Sequence, residues 1–146
     1  MTRFSVMALL FVLFASCSET TGPSDVAGYY VLTAVDSSQV PHLVSATVSC
    51  DEFVLRGDLH LASNGTFELP ITQSQDCSRA GGTVDTFTTT TSGAFSVNRG
   101  HLALHPAGTG ILLSAQVAGG AVDLQLPELP LLDVSPHSGR FLIFPQ

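Results

Sequence analysis

The chain has 146 residues, of which 45% are hydrophobic, and its formal net charge at pH 7 is −7. This length suits one domain of ordinary size. Because lysine is absent and acidic residues are in excess, the composition argues against binding to nucleic acid or to anionic lipid headgroups through charge.

The first 17 residues are predicted to be a secretory signal. Arg3 provides a positive charge, residues 6–14 are apolar, and Ala15-Ser16-Cys17 provides small residues at the end of the apolar run. A run of nine apolar residues is too short for a transmembrane helix, which needs ~20. The layout is typical of a signal peptide with a small-residue cleavage site.

Cys17 at this cleavage site resembles the lipobox cysteine of bacterial lipoproteins. The resemblance implies cleavage before Cys17 and attachment of acyl chains, such as palmitate, to that residue. It also implies a bilayer as partner and a place in the bacterial cell envelope. Ser18 after the cysteine implies the outer membrane, facing the periplasm. Ordinary cleavage after Cys17, which would give a secreted protein, is the alternative.

Residues 18–27 are predicted to be a flexible tether, because the stretch SETTGPSD is polar and rich in turn residues. Beyond the tether, Cys50 and Cys77 are the two remaining cysteines. Two cysteines in an oxidising compartment usually pair, and neither has the CxxC spacing typical of a metal site. The sequence therefore predicts a disulfide between Cys50 and Cys77.

Residues 28–146 are predicted to form one all-β domain. Short segments rich in Val, Leu, Phe and Thr alternate between apolar and polar positions, and Gly, Pro, Asn and Ser separate them. In chain order the predicted strands are residues 28–35, 43–48 (a strand or the approach to one), 53–62, 66–72, 83–91, 94–97, 102–104, 110–117, 121–126 and 140–144.

The turn at Asn64-Gly65 permits a prediction of strand register. A two-residue turn would place apolar residues opposite polar ones. A three-residue loop with left-handed Gly65 pairs Leu61 with Phe67 and Leu59 with Leu69, which places apolar side chains on one face. Continued along both strands, this register brings Cys50 and Cys77 within one residue of each other. The remaining offset predicts a bulge or strand end, for which Pro70 is the candidate.

Two further hairpins are predicted at Arg99-Gly100 and Gly119-Gly120. The first, with a loop of either two or four residues, pairs Phe95 with Leu104 and Val97 with Leu102. The second, with a two-residue turn, pairs Val117 with Val122, Ala115 with Leu124 and Leu113 with Leu126. Successive antiparallel strands leave a sheet edge unpaired unless the sheet closes. Pairing of the last strand with residues 28–35 would close it. The predicted fold is an up-and-down barrel of about eight strands, with a β-sandwich as the alternative.

This pattern resembles the small lipocalin-like barrels carried by bacterial lipoproteins. The residues that support the resemblance are Gly28-x-Tyr30-x-Leu32-x₂-Val35, Gly57-x-Leu59-x-Leu61, Asn64-Gly65-Thr66-Phe67, Gly93-x-Phe95 and Gly100-x-Leu102-x-Leu104. It implies a barrel that holds a small apolar ligand, with Tyr30, Phe67 and Phe95 as candidate binding residues. An eight-stranded barrel can equally be filled by its own side chains, and both alternatives stay open.

The sequence contains no recognisable catalytic or cofactor-binding motif. It has no nucleophile motif, no phosphate-binding glycine loop and no set of ligands with metal-site spacing. Adjacent Asp51 and Glu52 would point to opposite faces of a strand. The sequence thus predicts a protein that is not an enzyme and has no cofactor or metal. The alternative to a ligand carrier is a structural or protein-interaction module of the envelope, whose candidate contact surface is the proline-rich loop of residues 126–138.

Overall fold

The computed structural model of the protein describes residues 22–127 and 137–144. Cys17 and most of the proline-rich loop lie outside these residues. The elements are a short helix α1 (Pro23–Val26), a 3₁₀ turn (Ser78–Ala80) and ten strands: β1 (Gly28–Val35), β2 (Ser38–Gln39), β3 (His42–Ala46), β4 (Asp51–Leu61), β5 (Thr66–Asp76), β6 (Val84–Asn98), β7 (His101–Pro106), β8 (Leu113–Ala118), β9 (Ala121–Gln125) and β10 (Ser138–Ile143).

Eight of these strands form a closed antiparallel barrel. From β4 to β10 each strand pairs with the next, and β1 lies between β10 and β4 and pairs with both. The short strands β2 and β3 extend the sheet from β1 and β4. The predicted all-β, up-and-down barrel is confirmed, including closure by pairing of the last strand with the first. The sandwich alternative is wrong.

The predicted hairpin registers are confirmed. Leu61 lies opposite Phe67, as the three-residue loop requires. The other two hairpins have two-residue turns in which both central residues have positive φ, the conformation that matches the twist of the flanking strands. These residues are Arg99 (φ 51°), Gly100 (φ 80°), Gly119 (φ 57°) and Gly120 (φ 77°).

The disulfide between Cys50 and Cys77 is confirmed, with the two Cα atoms 4.1 Å apart. The bulge that aligns the cysteines lies in β4, between Val54 and Arg56, so the predicted position at Pro70 is wrong. The extra residue in β4 shifts the pairing by one and places Asp51 opposite Asp76. Such a bulge leaves one residue unpaired and bends its strand.

Strand β6 is a single strand of 15 residues, where the sequence predicted two separate segments on either side of Gly93. Gly93 lies inside this strand, at a point where β7 passes very close. A Cβ atom at this position would lie 2.1 Å from the carbonyl oxygen of His105, so only glycine fits. Strand β8 begins at Leu113, three residues later than predicted.

The C-terminal end of the predicted flexible tether is helical in the structure. Residues 23–26 form α1, in which Pro23 takes the first helical turn that proline favours. Val26 is buried among core residues, and the Tyr30 hydroxyl donates a 2.7 Å hydrogen bond to its carbonyl oxygen. The helix therefore packs at the end of the barrel where β1 begins.

Inward-facing side chains from β1 and β4 to β10 form one hydrophobic core together with Val26 and Leu126. Its fully buried members are Leu32, Val35, Val54, Leu59, Leu61, Leu69, Ile71, Leu102, Leu104, Val122, Leu124 and Phe141.

Candidate functional site

The three predicted ligand-binding residues all face the barrel interior. Tyr30, Phe67 and Phe95 retain 3%, 4% and 6% of their accessible surface. A side chain that lines an empty cavity large enough for a ligand keeps surface that a water molecule can reach. These side chains keep almost none, so protein atoms surround them on nearly every side.

Tyr30 also has its polar atom engaged. The hydroxyl donates to the Val26 carbonyl oxygen at 2.7 Å, and burial raises the pKa of the Tyr30 phenol above its ordinary value of 10.0. A buried tyrosine normally directs its hydroxyl to a protein partner in this way. The group thus fixes α1 on the end of the barrel.

Two interior glycines show how little room the barrel has. A Cβ atom at Gly139 would lie 2.7 Å from Leu126 Cδ2, 3.0 Å from Phe141 Cε2 and 3.1 Å from Leu32 Cδ1. A Cβ atom at Gly57 would lie 3.1 Å from Leu32 Cδ2. A methyl group at either position would therefore require the neighbouring side chains to move.

Polar side chains replace apolar ones on the inner face near the disulfide. Gln73 is 1% exposed and Glu52 is 8% exposed. Gln75 donates a 3.2 Å hydrogen bond to Glu52 Oε1, whereas the Gln73 amide and Glu52 Oε2 have no hydrogen-bond partner among the described residues. The sequence analysis did not predict that Gln73 and Glu52 are buried, although alternation along β5 places Gln73 on the same face as Phe67 and Ile71.

A second polar cluster joins the end of β1 to the start of β10. Asp36 Oδ2 lies 2.5 Å from His137 Nδ1, and Asp36 Oδ1 accepts hydrogen bonds from the Ser138 amide at 2.8 Å and the Ser138 hydroxyl at 3.3 Å. Burial alone would raise the pKa of Asp36, but the hydrogen bonds from His137 and Ser138 outweigh it and lower that pKa. About a hundred residues separate the partners, so no local sequence signal predicts the cluster.

The geometry of this cluster does not suit nucleophilic catalysis. The Ser138 hydroxyl donates to Asp36 and not to His137, so the imidazole is not placed to accept its proton. Beside the cluster is an open surface cleft of about 440 Å³, lined by Ala34, Ser37, Asp123, Ser138, Gly139 and Arg140. Its charged members are paired, with Arg140 Nε 3.8 Å from Asp123 Oδ1. The cluster instead links two barrel strands.

The remaining charged and imidazole groups are dispersed over the outer surface. The ring of His60 stacks on that of Tyr29, with 4.1 Å between the centroids, and His101 Nδ1 lies 3.0 Å from Gln116 Nε2. As alternation predicts, Asp51 and Glu52 diverge, and Asp51 pairs with Arg79. In the part of the chain that the structure describes, no three His, Cys, Asp or Glu side chains come together as metal ligands would.

Over residues 22–127 and 137–144, no helix combines the length and the apolar character needed to cross a membrane. Comparison with protein-family models, curated proteins and solved structures gives no match to this chain.

Proposed function

We propose that this protein is a lipid-anchored, non-catalytic component of the bacterial envelope whose barrel is a rigid module for protein interaction. The observation that carries the proposal is the occupied interior: the candidate ligand-binding aromatics are 3–6% exposed. When side chains fill a barrel, no space remains inside it for a ligand, and any partner must bind to the outer surface or the loops.

The anchor is proposed from the N-terminal sequence. Cys17 follows a short apolar run and precedes polar residues, as in the lipobox of bacterial lipoproteins. One acyl chain holds a protein to a bilayer only marginally, and stable attachment takes a second signal. The mature chain has few cations with which to hold anionic lipid, so we assign attachment to several acyl chains on Cys17.

We propose that the protein is not an enzyme because its clustered polar side chains are hydrogen-bonded to one another's elements or buried without room for a substrate. Asp36 accepts hydrogen bonds from His137 and Ser138, and these bonds link the end of β1 to the start of β10. Glu52 and Gln73, which face inward, lie where close packing leaves little room for a substrate. Catalysis needs groups that converge on one reacting atom with space for it.

The apolar-ligand carrier stays a prediction of the sequence resemblance. It requires a barrel that opens to admit a ligand, with displacement of side chains such as Leu32 and Phe141 that are buried in the core. Native mass spectrometry separates the two functions, because a carrier would retain a ligand that adds to the protein mass.

The anchor is tested by fractionation of cells that express the full-length protein. We expect Cys17→Ser to move the protein from the membrane to the soluble fraction. Ser18→Asp is the matched control, since it keeps the cysteine and should keep the protein on a membrane while changing which membrane holds it. If Cys17→Ser protein stays in the membrane fraction, the proposed anchor is wrong.

A further inference from the structure

The longest strand of the barrel has a free edge over half its length. Strand β6 pairs with β5 from residue 84 to residue 94, but its pairing with β7 begins only at Gly93. Within the described residues, no strand pairs with the other side of residues 84–92. A strand edge of this kind presents a row of backbone donors and acceptors to any strand that can pair with it.

The hydrogen bonds at both ends of β6 show which residues face this edge. The Phe95 amide donates to the Gly65 carbonyl and the Cys77 amide donates to the Thr83 carbonyl, so odd-numbered residues of β6 bond to β5. The Ala107 amide donates to the Ser92 carbonyl on the opposite side. By alternation, the N–H and C=O groups of Thr86, Thr88 and Thr90 point to the free edge.

Apart from the charge on Asp85, this edge lacks the usual protection against pairing. Exposed edges are commonly blocked by lysine, by proline or by a bulge. Residues 84–92 (VDTFTTTTS) include neither lysine nor proline, and their pairing with β5 runs without a register shift. Threonine is a strong strand former. The segment is thus suited to pairing with a further strand.

We infer that the partner strand is the same segment of a second copy of this protein, and that two barrels join through antiparallel β6 edges. Symmetric dimers bury the same surface on both subunits, so the segment must be complementary to itself. It carries a single charge, on Asp85, in a chain whose net charge is −7. Two copies of an acidic protein repel each other least where their surfaces carry little charge, so this almost neutral edge suits a second copy.

Backbone geometry, charge and side-chain pairing together favour one register. The edge-facing threonines must lie opposite one another for the backbone bonds to form, and Asp85 must not lie opposite the same residue of the partner. Registers with Thr86, Phe87 or Thr88 on the twofold axis meet both conditions, and only the one with Phe87 opposite the partner's Phe87 also pairs the two aromatic rings. Thr86 is then bonded to the partner's Thr88, and Asp85 faces the partner's Thr89. Threonine pairs and aromatic pairs are both favourable across strands.

Cysteine cross-linking of the full-length protein tests this register. In the proposed dimer Phe87 occupies a non-hydrogen-bonded pair, where Cα atoms are about 4.5 Å apart, a separation that a disulfide can span. Thr89, on the same face of the strand, would be about 13 Å from its own copy. We expect Phe87→Cys protein, oxidised by copper phenanthroline, to give a reducible dimer band at least roughly tenfold stronger than that of Thr89→Cys or wild type.

Sedimentation of the wild-type protein provides a second measurement that needs no cysteine. We expect twice the monomer mass, and loss of the dimer in Phe87→Asp, where two carboxylates would face each other across the axis. Ser96→Asp is the matched control, because that part of β6 is paired on both sides and should keep the dimer. A monomeric wild type, or equal cross-linking at Thr89 and Phe87, would overturn the inference. It does not depend on the proposed anchor.

Discussion

At Gly139 a methyl group would displace neighbouring side chains, since a Cβ atom would lie 2.7 Å from Leu126 Cδ2 and 3.0 Å from Phe141 Cε2. Gly57 is in a similar position against Leu32. Glycine at both positions therefore allows β10 and β4 to approach the core closely. The absence of a side chain at Gly139 and Gly57 thus lets core side chains such as Leu32 pack directly against the backbone.

Gly139→Ala should destabilise the protein. The new methyl group must displace packed side chains, and overpacking of this kind costs about 1–3 kcal/mol. Urea denaturation would measure the change in free energy of unfolding. Gly110→Ala is the matched control, because a Cβ atom there would meet nothing within 4 Å, and it should leave stability unchanged or slightly raised. Equal stability of the Gly139 variant and wild type would contradict the packed interior.

Asp36 makes a pH-dependent contribution to barrel closure. Hydrogen bonds from His137 and Ser138 lower its folded-state pKa in spite of burial. A carboxyl group with a lowered folded-state pKa stabilises the fold above its unfolded pKa, and that contribution is lost as pH falls through the folded value. Asp36→Asn should therefore be less stable than wild type near pH 7.

This stability difference should shrink below about pH 4. Denaturation curves between pH 7 and pH 3 would measure it. Asp76, whose pKa is also lowered, chiefly by hydrogen bonds from Ser78, is present in both proteins and serves as an internal control. A difference that stays constant across this range would show that the ionised form of Asp36 contributes nothing to closure.

At the scale of elements, local turn chemistry made hairpin registers predictable. Asn64-Gly65, Arg99-Gly100 and Gly119-Gly120 each restrict the loop length, and apolar alternation then selects one pairing. The bulge in β4 was misplaced because Leu55, the unpaired residue between Val54 and Arg56, is not a residue type that marks a bulge. Pro70 was a plausible signal, yet the strand accommodates it without a shift in its pairing with β6.

The disulfide connects β4 and β5 at the polar end of the barrel. Its cysteines are separated by 27 residues, and cross-linking a loop of this length stabilises a protein by about 3–4 kcal/mol through the unfolded chain. Replacing both cysteines, Cys50→Ser with Cys77→Ser, should lower the free energy of unfolding by that amount in urea. Reduction of wild-type protein should give a similar loss. A loss under about 1 kcal/mol would contradict this role.

At the scale of the whole molecule, alternating short strands predicted an all-β barrel and its closure. What sequence analysis missed depends on contacts distant in the chain. Gly93 lies inside β6 because glycine allows the backbone at His105 to approach closely. The Asp36 cluster joins residues about a hundred positions apart. Tyr30, Phe67 and Phe95 do face the barrel interior, but alternation alone does not say whether inward aromatics surround a ligand or one another.

The central claim is that the barrel interior is filled by its own side chains. Native mass spectrometry of the full-length protein, extracted from its source membrane in mild detergent, tests it most directly. We predict that each protomer has the mass of the processed chain with its acyl groups and nothing more, before and after denaturation. A stoichiometric additional mass that is released on denaturation would contradict the filled interior and identify the protein as a carrier.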